Sequence, residues 1–273
     1  MTDAGAVDLN GYIEIWWESV GDFLAVAETI PDDAWDRSTD LPAWDVKAVV
    51  SHVAHLESLL AGGPHEEAEV GDAPHLDSPM SRFTEIGVVN RRDTPPAEIL
   101  AEIRRCTTSR HERLREDPPS DPTAPAPGVF GAIGWDLGLL LRNRPLDLWM
   151  HEQDLRRALG TPGGLDTRAA DHTVGYLGQG LGFVLAKRAG AQPGTTLVLA
   201  IDGDPPTGHI VAADGRGRPL PEPPDNPTVT VGMDRDTFVR LVGGRGPVPP
   251  DAVRIDGDRD LGATVAARLT LTP

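Results

Sequence analysis

Asp147 and His151 stand four residues apart in a helical stretch, and a carboxylate and an imidazole at that spacing can share one metal ion. Both side chains project from the same helix face. Carboxylate and neutral imidazole suit Zn2+ and similar divalent ions. A surface hydrogen bond between the two would leave the same trace in the sequence. The setting speaks for the metal: Leu146, Leu148, Trp149 and Met150 surround the pair, and charged groups on an apolar helix need partners. Asp154, three residues further on, has two readings of equal weight. It can accept a hydrogen bond from His151 and so orient it, or it can pair with Arg156 or Arg157. His52 and His55 lie three apart in a second apolar segment. Either can complete a three-ligand site, and either can be an ordinary buried imidazole; spacing does not choose.

Other chemistry-bearing features are weaker. Gly178-Gln179-Gly180-Leu181-Gly182 resembles part of a dinucleotide fingerprint, but no strand precedes it, so it reads as close helix packing or helix flexibility. Cys106 has Arg104, Arg105 and Arg110 nearby, which would lower a thiol pKa; a cysteine on a helix surface is the plainer reading. His65, His75, His111, His172 and His209 show no metal-ligand spacing, and no GxSxG, Walker or zinc-ribbon pattern occurs.

The elements that must position these residues are mostly helices in the first half. Ile13, Trp16, Trp17, Val20, Phe23, Leu24 and Ala27 recur at three- and four-residue steps, which predicts an amphipathic helix over 9–29, ended by Pro31. A second helix is expected from Ala43 to Leu60, stopped by Gly62-Gly63-Pro64. A polar loop with at most one short helix follows over 65–77, then a weaker helix over 80–92. Thr94-Pro95-Pro96-Ala97-Glu98 is a start signal with Thr94 as cap, for a helix reaching Glu116. Five prolines make 117–128 a loop. Long helices are expected over Trp135–Leu159, closed by Gly160, and over Thr167–Arg188. Several long helices joined by loops predict an up-and-down bundle.

The pattern changes near 190–194. Thr195–Ile201, His209–Ala212, Thr228–Val231 and Val253–Ile255 read as strands, with a short helix capped by Asp234 and a last helix over Leu261–Leu269. The expected class is therefore α+β: a helical bundle over 1–190 and a small α+β domain over 191–273.

Composition bounds the partners. The 273 residues suffice for a core without disulfides. With 42 acidic and 25 basic residues the formal net charge is −17, which repels nucleic acid and anionic membranes. The single cysteine suits a reducing cytoplasm. Residues 1–10 lack the apolar core of a signal peptide, and no run is long and apolar enough to span a membrane. A monomer or small homo-oligomer is expected.

Several segments taken together resemble the mycothiol-dependent maleylpyruvate isomerase family, whose N-terminal part is a DinB-like metal-binding bundle. Leu41-Pro42-Ala43-Trp44-Asp45-Val46, followed by His52, is similar to the family's "Pro-x-Trp-x-Val, then His" motif. Residues 144–155, from Arg144 to Leu155, resemble its second motif, a carboxylate and a histidine four apart and then Asp. Phe238, Gly244-Arg245 and Gly257-Asp258 look like its small, sterol-carrier-like C-terminal domain. The likeness covers nearly the whole chain.

The resemblance implies a three-ligand site of His52, Asp147 and His151, with His52 chosen over His55 because it falls eight residues after Trp44. Asp147 stands where the family usually has Glu, one methylene longer, so the helix must approach the ion more closely or a water must bridge. The resemblance also implies a divalent ion with one open position, Zn2+ being favoured by two histidines and a carboxylate. It implies mycothiol as the actinobacterial thiol cosubstrate, and a small electrophile as substrate. A thiolate that adds and leaves after bond rotation gives cis–trans isomerisation; one that stays gives S-transfer. Arg245 and Arg254 are the candidates for a catalytic arginine from the C-terminal domain, acting on an anionic substrate or enolate. The alternatives are a hydrolase using zinc-bound water on the same bundle, and a non-catalytic module that binds an apolar ligand.

Overall fold

A computed structural model describes residues 8–272. The chain divides into two compact units between Ala170 and Asp171.

The first unit is helical. Helix α1 (Leu9–Ala27) starts at Asp8, whose carboxylate accepts a hydrogen bond from the Gly11 amide. Helix α2 (Val46–Leu60) starts at Asp45, which accepts from Ala48 N at 2.7 Å. Helices α3 (Pro79–Asn90) and α4 (Pro96–Glu116) follow, then a short α5 (Gly128–Ala132) and the long α6 (Leu137–Leu159). Asp136 caps α6 by accepting from Leu139 N at 2.7 Å, and Gly160 closes it in the left-handed region at φ 70°. Each cap satisfies amides that the helix leaves without partners.

Helix α1 packs along α6 and α2 along α4. Contacts of α1 with α4 and of α2 with α6 close a four-helix bundle, and α3 lies on α2. Trp16, Phe23, Val49, Val53, Ile99, Ile103, Leu148 and Leu155 fill its centre. Burying one such side chain contributes about 1.5–3 kcal/mol. Helix α3 reaches α2 closely at Gly87, where a Cβ would stand 2.2 Å from His55 Cβ.

The second unit holds the sheet. Helix α7 (Arg168–Gly178) runs into it, followed by a single turn α8 (Leu181–Phe183) and a π-helical turn over Val184–Arg188. Strands β1 (Thr196–Ile201), β2 (Thr207–Val211), β3 (Gly217–Pro219), β4 (Val229–Met233) and β5 (Arg254–Gly257) form one sheet in the order β3-β2-β1-β4-β5. Only β1 and β4 pair in parallel; Val198 stands opposite Thr230. Helix α9 (Arg235–Val242) is capped by Asp234, and α10 (Arg259–Ala267) packs on β4 and β5.

Some expected elements differ in the structure. Thr94 does not cap α4; Pro95 occupies that position with no side-chain bond. Residues 65–77 are the expected loop, without the optional short helix, and Arg91 and Arg82 tie it down through Glu66 and through Gly71 O and Asp72. The single helix expected over 167–188 is broken at Gln179-Gly180, where the glycines give no helical support. Strand β3 and helix α5 were not expected. The compact division falls earlier than the change in composition near 190–194, because α8 and the π-helical turn pack on β2 and β3. That packing needs Gly217, whose Cβ would meet Gly182 O at 1.7 Å.

Candidate metal centre

Helix α2 presents His52 and helix α6 presents Asp147 and His151 to one point in the bundle. One donor atom from each of the three lies within 4.8 Å of the others. His52 Nε2 stands 3.9 Å from Asp147 Oδ1, and His151 Nε2 stands 3.8 Å from the same oxygen. These separations are too long for hydrogen bonds and suit donors that face a common ion. The two imidazoles meet edge to face with centroids 4.8 Å apart.

The electrostatics prepare His52 and Asp147. Burial lowers the His52 imidazole below its ordinary value, against a smaller upward pull from Asp147, so the ring is neutral at pH 7 and its lone pair is free. Burial alone would raise the Asp147 carboxyl. Arg144, His52 and His151 together hold it well below the usual carboxylate range. His151 Nδ1 lies 3.1 Å from Asp154 Oδ2; with that nitrogen donating, Nε2 keeps its lone pair toward the cluster. His52 Nδ1 is buried with no hydrogen-bond partner.

Asp154 fills both roles that the sequence left open. Its second oxygen accepts from Arg157 Nη2 at 2.8 Å, while Arg157 Nε bonds Asp40. On the other side, Arg144 Nη1 donates to Asp147 Oδ2 at 2.9 Å. Arg144 also gives Nη2 and Nε to Glu57 Oε1 at 2.7 and 3.2 Å. Glu57 is fully buried and further accepts from Arg110 Nη1 at 3.1 Å and Trp16 Nε1 at 3.1 Å. Two carboxylates thus face two guanidiniums. Burial would raise Glu57, but Arg144 and Arg110 hold it below its ordinary value; burial pushes Arg110 down to about 10.

Trp44 covers the two histidines, its ring centroid 4.8 Å from that of His52 and 6.1 Å from that of His151. Its Nε1 donates to Glu85 Oε2 at 2.9 Å, and His75 Nε2 lies 3.4 Å from that oxygen. The His52 and His151 side chains are 4% and 7% exposed and that of Asp147 is 21% exposed, so solvent reaches the cluster on the Asp147 side. The residues present fit a divalent ion: two imidazole nitrogens and one anionic oxygen converge with no hydrogen bond among them.

The remaining candidates have surroundings of their own. His55 turns toward α3, beside Phe83 and Gly87; both ring nitrogens are buried without partners, and burial lowers it to about 4. Cys106 is half-buried, and burial raises its thiol, which agrees with the plainer reading of an unactivated cysteine. Arg245 and Arg254 belong to the second unit. The buried Arg245 bonds Gly243 O and Thr272 Oγ1, and the exposed Arg254 pairs with Asp202. Sequence reasoning missed the Glu57–Arg144 pair. The signal was present in Glu57 itself, a lone carboxylate beside Val53, Leu56 and Leu60.

Comparison with known proteins places the chain. Residues 16–156 match the sequence model of the mycothiol maleylpyruvate isomerase N-terminal domain, and residues 171–264 match that of its C-terminal domain. Two solved structures align along most of both chains. One is the crystal structure of the mycothiol-dependent maleylpyruvate isomerase, with 17% identity and TM-score 0.55. The other is a histidine-to-alanine mutant of that isomerase, with 16% identity and TM-score 0.56. Each alignment covers 91% of this chain and 92% of the other. At this identity the likeness shows the shared fold. No curated protein sequence matches. Among the described residues, no helix is long and apolar enough to cross a membrane.

Proposed function

The chain belongs to the mycothiol maleylpyruvate isomerase family, and from that premise we propose that it is a metal-dependent, mycothiol-using cis–trans isomerase or S-transferase acting on a small electrophile. The observation that carries the reading is the convergence of His52, Asp147 and His151 within 4.8 Å. His52, Asp147 and His151 would hold a divalent ion, with Zn2+ favoured by the donor set, and that ion would supply the Lewis acidity that makes a thiol a better nucleophile at neutral pH.

The chain's own residues do the rest. Asp154 holds the Nδ1 proton of His151 and so fixes the orientation of that ring. Arg144 keeps Asp147 anionic and turned toward the histidines. Trp44 shields the histidine rings from water, while the exposed flank of Asp147 leaves a way in for small molecules. A cytoplasmic setting is consistent with one unpaired cysteine. Arg245 and Arg254 are the side chains proposed for an anionic substrate.

The test is turnover of maleylpyruvate, and of thiol-reactive electrophiles, by purified protein with and without mycothiol. Turnover that requires the thiol and is lost in His52→Ala and His151→Ala supports the proposal. Thiol-independent hydrolysis would replace it with the zinc-bound-water reading.

A further inference from the structure

Asp147 has its two oxygens on different tasks. Oδ1 faces both histidine Nε2 atoms at 3.8–3.9 Å, and Oδ2 is occupied by Arg144 Nη1 at 2.9 Å. Arg144 has little freedom to let go. It is 1% exposed, and its Nε and Nη2 are committed to Glu57 Oε1. Glu57 is in turn fixed by Arg110 and by Trp16, and Arg110 stacks over the Trp16 ring at 4.4 Å. The line Trp16–Glu57–Arg144–Asp147, with Arg110 beside it, takes one residue or more from each helix of the bundle: α1, α2, α4 and α6. Two negative and two positive groups balance within it, so no member can leave without exposing a buried charge.

We propose that Arg144 is a positioning residue for the metal centre: anchored by buried Glu57, it holds Asp147 Oδ2 so that Oδ1 alone is offered to an ion between His52 and His151. This rests on the metal-site reading above. It goes further in stating how the carboxylate binds and what sets its direction. A lysine at 144 would keep the charge, but its donors all sit on one nitrogen, whereas Arg144 bridges Glu57 and Asp147 with three separate nitrogens of the guanidinium fork.

The experiment titrates the full-length chain with Zn2+ alone, in competition with a chromophoric chelator, for the natural protein, Arg144→Lys and Arg144→Met. Thermal unfolding of each metal-free protein is followed in parallel. Removing a partner that orients a ligand typically costs 10–100-fold in metal affinity. The proposal expects about 10-fold weaker Zn2+ binding for Arg144→Lys and about 100-fold for Arg144→Met. Lower metal-free stability with unchanged Zn2+ affinity would mean a purely structural arginine and would overturn it. Should neither variant fold, a crystal structure of the natural protein with Zn2+ decides. Ligation through Oδ1 with Oδ2 still on Arg144 supports the proposal, and ligation through both oxygens with Arg144 turned away overturns it. If the natural protein binds no Zn2+, the metal-site reading itself fails, an outcome separate from tight binding that ignores Arg144.

Discussion

Replacing Glu57 with Gln would remove one charge from the centre of the bundle while hardly changing shape. Glu57 accepts from Trp16 Nε1 and from Arg144 Nε and Nη2 through one oxygen, and from Arg110 Nη1 through the other. Glutamine offers a single acceptor oxygen. Its amide nitrogen must then face either Arg110 or the Trp16–Arg144 pair, donor against donor. Asp147 would be left as the nearby counter-charge for two buried guanidiniums. Breaking a buried ion pair by removing one partner costs about 3–5 kcal/mol, and the full burial of Glu57 places this case in that range. At roughly 2–4 °C per kcal/mol for a unit of this size, the melting temperature falls by about 6–20 °C.

The effect depends on pH with a definite sign. The folded-state pKa of Glu57 lies below the ordinary 4.5. Its stabilisation is therefore fully present above about pH 4.5 and is lost as pH falls through the folded value. Urea unfolding of the natural protein and of Glu57→Gln, followed by tryptophan fluorescence from pH 7 to pH 3, gives the comparison. The gap should be widest at pH 7 and should narrow below 4.5. A gap under about 1 kcal/mol at pH 7, against the 3–5 expected, or one that stays constant to pH 3, would refute the reasoning.

Two further predictions concern α2 and α3. His55 is buried with both nitrogens unpartnered and is lowered to about 4 from 6.5, so the unfolded chain takes up the proton first as pH falls below 6.5. Protonation linkage should then erode stability between pH 6.5 and 4, by about 3 kcal/mol in all. His55→Leu should remove that slope and be the more stable protein at pH 5, as read from urea midpoints; an unchanged slope would contradict it. Gly87→Ala puts a methyl 2.2 Å from His55 Cβ, so α3 must move off α2. Overpacking of this kind costs about 1–3 kcal/mol, and a melting temperature equal to that of the natural protein would show that the contact yields freely.

How far the sequence reaches can be seen at single residues. Asp147 and His151 were legible because their partnership is local: four residues on one helix. Asp154 was half legible, since its two candidate partners, His151 and Arg157, lie equally close along the chain, and it binds both. His52 and His55 were not separable by spacing. The choice depends on how α2 is turned, with one imidazole toward α6 and the other toward Gly87 of α3. Only the family resemblance pointed to His52. The Glu57–Arg144 bond joins residues 87 apart in sequence, and no periodicity reports such a pairing. Strand β3 was missed for a similar reason. Gly217-Arg218-Pro219 has no strand-forming composition and is extended only because it pairs with β2. The break in the helix expected over 167–188 was marked by Gly178 and Gly180, which had been read as packing or flexibility signals.

The central claim is that His52, Asp147 and His151 hold one divalent ion. Elemental analysis of the purified full-length chain after loading with Zn2+ and removal of free metal tests it most directly, beside His52→Ala, Asp147→Ala, His151→Ala and the control His55→Leu. The prediction is about one ion per chain in the natural protein and in His55→Leu, with loss of the ion in each of the other three. Equal metal content in all five proteins, or none in the natural chain, would contradict it.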